Sequence, residues 1–256
     1  MKKCKRKFRA NSSGQLLIVA ALTIAIIISS TTIYVYELCR ETNSTESYPI
    51  SDIILALKQS TKNAMISSLA NVSKGGEKAV LEANLNNLSQ TFRNLHQLGM
   101  YSLSFTALND SQYDSGTCLS WNTNGSGVSS AYANFTLKFQ RMTANIAVDY
   151  AVNITTTVAI NGSYTRLEGE EKLVNLTCRV FNEDKPALAK NITLFYENLG
   201  NWVPVNSSNS LSTVDYGNGT YLLSFIVSTS SNVQVSAHVY DLRYVFVQAN
   251  TTCYEA

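Results

Sequence analysis

Between Ala10 and Tyr36 the sequence holds no charged side chain, and Leu16 to Val35 reads LLIVAALTIAIIISSTTIYV. A helix over that stretch, rising about 1.5 Å per residue, matches the roughly 30 Å hydrocarbon layer of a bilayer. Ser29, Ser30, Thr31 and Thr32 are tolerable there because a helical hydroxyl bonds back to the carbonyl one turn earlier. Tyr34 and Tyr36 suit the headgroup level. Lys2, Lys3, Lys5, Arg6, Lys7 and Arg9 precede the run without an acid, while Glu37, Glu41, Glu46 and Asp52 follow it with only Arg40 against them. Positive charge stays inside, so the sequence predicts a single-pass protein of the cell membrane, its N-terminus cytoplasmic and its bulk extracytoplasmic. The run exceeds the ~7–15-residue apolar core of a cleaved secretory signal, and no A-x-A type site ends it.

The same sorting of charge limits the partners. Six of the 20 basic residues lie in the first nine positions, so the remaining 14 face 18 acids and the rest of the chain is mildly acidic. A phosphate backbone finds no basic face, which excludes nucleic acid. The expected partners are membrane lipid, through residues 16–35, and other surface proteins or further copies of this chain. Charged residues make up only 15%, the balance of a β-rich surface protein rather than a disordered one.

Past the membrane run, Pro49 interrupts any continuous helix, and Ser51-Asp52 suits a helix start. Ile53, Ile54, Leu57, Ala64, Met65 and Leu69 recur at helical spacing up to Lys74-Gly75-Gly76. Leu81, Leu85, Leu88, Phe92 and Leu95 mark a second helix, closed by Gly99; its seam packs on its own sheet or on another copy. The period then falls to two. Ala131, Ala133, Phe135, Leu137 and Phe139 alternate with polar residues, as do Ile146, Val148, Tyr150, Val152, Ile154, Val158 and Ile160. Asn161-Gly162 suits a two-residue hairpin turn, and Glu168 to Lys172 a boundary. Short strands at turn-punctuated spacing follow, the pattern of a β-sandwich.

Two resemblances extend this reading. The basic tip, then Ser13-Gly14-Gln15, then an apolar helix running into the ectodomain, resembles the class III signal of archaeal type IV pilin-like proteins. The resemblance implies cleavage after Gly14, before Gln15, on the cytoplasmic side, leaving the helix as assembly core or anchor. Cys178 to Pro186, Asn191 to Tyr196 and Asp215 to Tyr221 resemble immunoglobulin-like modules of the invasin and filamin kind, which implies a fold and a surface role but no ligand.

Asn-x-Ser/Thr occurs at Asn11 and at Asn43, Asn71, Asn87, Asn109, Asn124, Asn134, Asn153, Asn161, Asn175, Asn191, Asn206, Asn218 and Asn250, 14 sites in all. Composition alone would give about five, so the 13 beyond Asn11 read as candidate N-glycosylation acceptors of an exported chain. On strands such spacing also arises from polar alternation, because residues i and i+2 share a face. Cys4 lies on the reducing side. The other four cysteines, Cys39, Cys118, Cys178 and Cys253, suggest disulfides; Cys178 and Cys253 each share the apolar parity of their strand, which favours that pair.

Asp215 to Gly219 has glycines where a calcium loop needs oxygen ligands and reads as a tight turn. His96 and His238 form no catalytic pair, and HExxH, GxSxG and phosphate-loop patterns are missing, so no enzyme, cofactor or metal is expected. The fold expectation is α+β: a basic tip or leader (1–14), a transmembrane helix (15–36), a helical stalk (37–100), a β-sheet domain (101–168) and an immunoglobulin-like β-sandwich (169–256). The function expectation is a membrane-anchored extracytoplasmic glycoprotein, structural or adhesive and pilin-like. The alternative is a ligand-binding or accessory ectodomain on an uncleaved signal anchor.

Overall fold

The computed structural model describes residues 24, 27–33, 50–94, 100–121, 124–141 and 144–256. Residues up to Leu55 and those from Ala56 onward form separate compact units. In the first, residues 27–33 are helical, and the hydroxyls of Thr31 and Thr32 donate to the carbonyls of Ile27 and Ile28 at 2.7–3.0 Å. This is the back-bonding expected of them. Ile24, Ile27, Ile28 and Ile33 are exposed. Among the described residues no helix is long and apolar enough to cross a membrane. The tip 1–14 and most of the run 16–35 lie outside the described residues.

The α+β expectation, with its N-terminal transmembrane helix and helical stalk, is corrected to a mainly β fold. Strands hold 54% of the described residues and helices 24%. The stalk fails for a physical reason: both helices bury a stripe. In α1 (Ile50–Val72) Leu57, Thr61, Met65, Ser68, Leu69 and Val72 are buried, and in α2 (Val80–Arg93) Leu81, Leu85, Ser89 and Phe92. Apolar stripes of this width are stable only against another surface. Here the surface is the sheet: Thr61 meets the Tyr150 hydroxyl at 3.2 Å, and Ser89 Oγ donates to the Leu103 carbonyl at 2.6 Å. Ser89 thus takes the buried place that spacing gave to Leu88, which is only half-buried.

Twelve strands follow: β1 (Met100–Ala107), β2 (Thr117–Trp121), β3 (Ser126–Arg141), β4 (Ala144–Arg166), β5 (Glu171–Asn182), β6 (Lys185–Pro186), β7 (Ala189–Asn198), β8 (Asn201–Pro204), β9 (Ser212–Asp215), β10 (Thr220–Ser228), β11 (Val233–Asp241) and β12 (Phe246–Glu255). One sheet runs β3–β4–β5–β10–β9, with β1 and β2 sharing the far edge of β3 and β6 beside β5. The other runs β8–β7–β11–β12. They join where Tyr254 and Glu255 of β12 pair parallel with Ser163 and Tyr164 of β4. The inward residues of β4, β5 and β10 interlock with those of β7, β11 and β12 in one core, among them Val158, Leu176, Phe225, Leu194, Val235 and Val247. Face-to-face burial explains the strict alternation in β5 and β10, where every second residue is buried.

Two turn readings change or gain detail. Asn161-Gly162 is not a hairpin turn but lies inside β4. Its glycine serves a close approach: a Cβ on Gly162 would sit 2.8 Å from the Cys253 sulfur and 2.9 Å from the Asn175 carbonyl oxygen. The stretch from Glu168 to Lys172 carries β4 directly into β5, with the Leu167 amide donating to the Glu171 carbonyl. Asp215 to Gly219 is the tight β9–β10 turn, with the Asp215 carboxylate accepting from the Gly217 amide at 2.7 Å.

Candidate functional site

Strand parity decides what reaches solvent. In β3 Ala131, Ala133, Phe135, Leu137 and Phe139 are buried, so Asn134 points out. By the same alternation Asn153 on β4, Asn175 on β5 and Asn191 on β7 are exposed. Asn109, Asn124, Asn206 and Asn218 are exposed in loops and turns, as are Asn161 within β4 and Asn71 and Asn87 on the helices; Asn250 alone is half-buried. All twelve sequon asparagines among the described residues therefore reach the surface, and Asn11 and Asn43 lie outside them.

The hydroxyl partners separate these sites. Ser73 and Ser89, the serines of the Asn71 and Asn87 sequons, are buried, the first accepting the Phe246 amide and the second holding Leu103. Those hydroxyls serve the fold. At Asn153, Asn191 and Asn206, by contrast, the asparagine side chain hydrogen-bonds its own sequon hydroxyl, on Thr155, Thr193 and Ser208. Asn153 also borders an open groove of about 480 Å³ lined by Gln112, Tyr113, Cys118, Leu119, Ser130 and Thr155. Tyr113 and Thr155 both meet the Ser130 hydroxyl at 2.9 Å there, and Ser130 donates to Asn153 at 3.2 Å. The lining is hydroxyl-rich and holds no charged side chain.

Among the described residues no disulfide is formed. Cys118, Cys178 and Cys253 are free thiols, and Cys39 lies outside the described residues. Cys178 and Cys253 do share one core, as their parity predicts. Yet Cys253 packs over Gly162, whose cross-strand partner is Leu176, two residues along β5 from Cys178. That offset of about 7 Å along the strand puts the thiols on different rungs. Burial pushes the Cys178 thiol up to about 12 and that of Cys253 up to about 11, so both are inert at neutral pH. Burial first, then the Asp110 carboxylate, raises Cys118 as well.

One polar cluster escaped sequence reasoning. Asp241, fully buried, accepts the Arg243 and Val245 amides at 2.9 Å through one oxygen; through the other it accepts Thr156 Oγ1 at 3.0 Å and Arg243 Nε at 2.8 Å. Arg243 also donates to Glu183 at 2.7 Å and to the Thr155 carbonyl at 3.1 Å. These bonds tie the β11–β12 turn to β4 and the β5–β6 turn. No local signal announces it, because Thr156 and Asp241 are 85 residues apart. His238 sits between Phe195 and Phe246, ring centroids 4.6 and 5.4 Å away, and burial lowers its pKa. Among the described residues no group of His, Cys, Asp and Glu is placed to hold a metal ion. Gly14 and Gln15 lie outside the described residues.

No family model, no curated protein and no solved structure matches the chain.

Proposed function

We propose that the chain is an extracytoplasmic surface glycoprotein of structural or adhesive role, held at the cell membrane by lipid around residues 16–35 and pilin-like in its N-terminal signal. The observation that carries this reading is the surface position of all twelve described sequon asparagines in a chain with about three times the sequons its composition predicts. The uncharged N-terminal run and the exposed isoleucines at 24, 27, 28 and 33 support lipid contact. The order β4–β5–β10–β9 facing β12–β11–β7 supports the immunoglobulin-like reading, because constant-type domains set an ABED sheet against a GFC sheet.

The groove beside Asn153 favours the second reading, an accessory ectodomain that takes a small uncharged, hydroxyl-bearing ligand. Topology tests the first. Leu199, 95% exposed in the β7–β8 turn, offers a labelling position. A Leu199→Cys variant should react with an impermeant thiol reagent on intact cells, above the background of the unaltered chain. Reaction only after lysis contradicts an extracytoplasmic location.

A further inference from the structure

We propose that Tyr132, braced by Tyr113, is the seat on which the first sugar of an Asn134-linked glycan packs, so that the carbohydrate becomes part of the outer face of β3 and β4. The inference rests on the glycosylation reading above. Its basis is a juxtaposition of three side chains on one face. Tyr132 and Asn134 are two residues apart on β3, with the buried Ala133 between them pointing inward. The Tyr132 hydroxyl donates to the Asn134 side-chain oxygen at 3.4 Å, which lays the ring along the strand beside that asparagine. The Tyr113 ring meets Tyr132 edge-on at 6.2 Å, and its own hydroxyl is tied to Ser130 at 2.9 Å. The aromatic is thus positioned before any sugar arrives.

The surroundings leave room for a pyranose. Across the strands Asn134 faces Thr106 on β1 and Ala151 on β4, both small. A sugar linked to the amide nitrogen extends about one ring length from the strand, and two residues of strand cover about 7 Å. Its C–H face therefore meets the Tyr132 ring, whose electron-rich face attracts such polarised hydrogens. Among the strand sequons this arrangement is specific to Asn134. The residue two before is Ala151 for Asn153, Ala159 for Asn161, Leu173 for Asn175, Ala189 for Asn191 and Gln248 for Asn250. Asn153 lies directly opposite Tyr132, but its oxygen is held by Ser130 and Thr155.

The test is a double-mutant cycle on the full-length chain, produced in a host whose secretory pathway transfers N-glycans to Asn-x-Ser/Thr, and again in one that does not. Tyr132→Val, Tyr132→Phe, Asn134→Gln and the combinations are melted, and glycopeptide mass reports occupancy at Asn134. Loss of the glycan by Asn134→Gln should lower the melting temperature by about 2–4 °C in the unaltered and Tyr132→Phe backgrounds, and by nothing measurable in the Tyr132→Val background. In the non-glycosylating host the coupling should vanish, which removes the tyrosine–asparagine hydrogen bond as its source. An occupied Asn134 with equal melting shifts in all backgrounds overturns the seat while leaving glycosylation intact, as does coupling that follows Asn153→Gln instead. An Asn134 that carries no added mass overturns the seat, and no added mass on any sequon overturns the glycosylation reading as well.

Discussion

Residues 144–155 of β4 and residues 156–166 of the same strand follow one alternation, yet they bury different amounts. In the first stretch Ile146, Val148, Tyr150 and Val152 are only half-buried, and full burial begins at its end with Ile154; in the second Val158, Ile160 and Tyr164 are at most 5% exposed. The second stretch has β5 beside it and the β7–β8–β11–β12 sheet across from it. The first has β3 as its strand partner among the described residues, and the apolar side chains of β3 are buried where those of this stretch are half-buried. Over Tyr150 the cover thins to Thr61 and the Lys58 ammonium, 5.0 Å from the ring. An edge strand left open needs protection from pairing with another chain, and Asn145, Asp149 and Asn153 make this one polar. Where the two stretches meet, Arg243 grips both the Thr155 carbonyl and the Thr156 hydroxyl.

The contrast predicts a graded series of losses. Phe225→Ala empties a fully buried aromatic position in the sandwich and should cost about 3–5 kcal/mol in chemical denaturation. Asp241→Ala leaves Arg243 without its buried partner and should cost a similar ~3–5 kcal/mol; a loss below ~1 kcal/mol would show that the junction does not hold the two stretches together. Ile160→Val should cost about 0.5–1.5 kcal/mol. Ile146→Val, at the half-buried end, should stay within ~0.5 kcal/mol. Equal losses from the two isoleucines would erase the distinction.

Acidity separates the sandwich in the same way. Burial raises the folded pKa of Cys178 and Cys253, so their contribution is intact below about 9, where an unfolded thiol begins to ionise, and is lost as pH rises toward about 11–12. His238 has the opposite sense. Its folded pKa is lowered, so its contribution is present above about 6.5 and is lost as pH falls further. Melting temperature should therefore fall at both ends, and Cys178→Ala combined with Cys253→Ala should flatten the alkaline limb. Smallest of all, Asn134→Gln without glycan should change stability by no more than ~0.5 kcal/mol.

The sequence shows the strands of this molecule far better than their neighbours. Phe135 and Leu137 inside with Asn134 outside follow from period two alone, as do the inward Cys178 and Cys253. What period cannot tell is which element covers a face. The helices look like a stalk because their stripes do not say that the sheet is the partner, and Ser89 is buried against expectation because one hydrogen bond to Leu103 satisfies it. Asn161-Gly162 looks like a turn because the reason for its glycine, the Cys253 sulfur, lies 91 positions away along the chain. Tyr113 and Tyr132 are 19 residues apart and meet only in the fold, so the outer surface with its sequons was legible but the bracing of Tyr132 beside Asn134 was not.

The central claim is that one set of strands presents a packed core inward and carbohydrate outward. Glycopeptide mass mapping of the protein isolated from its own cells tests it most directly. Added mass on the outward strand sites Asn134, Asn153, Asn175 and Asn191 as well as on loop sites such as Asn109 and Asn206 is the predicted result; unmodified asparagine at all twelve positions would contradict it.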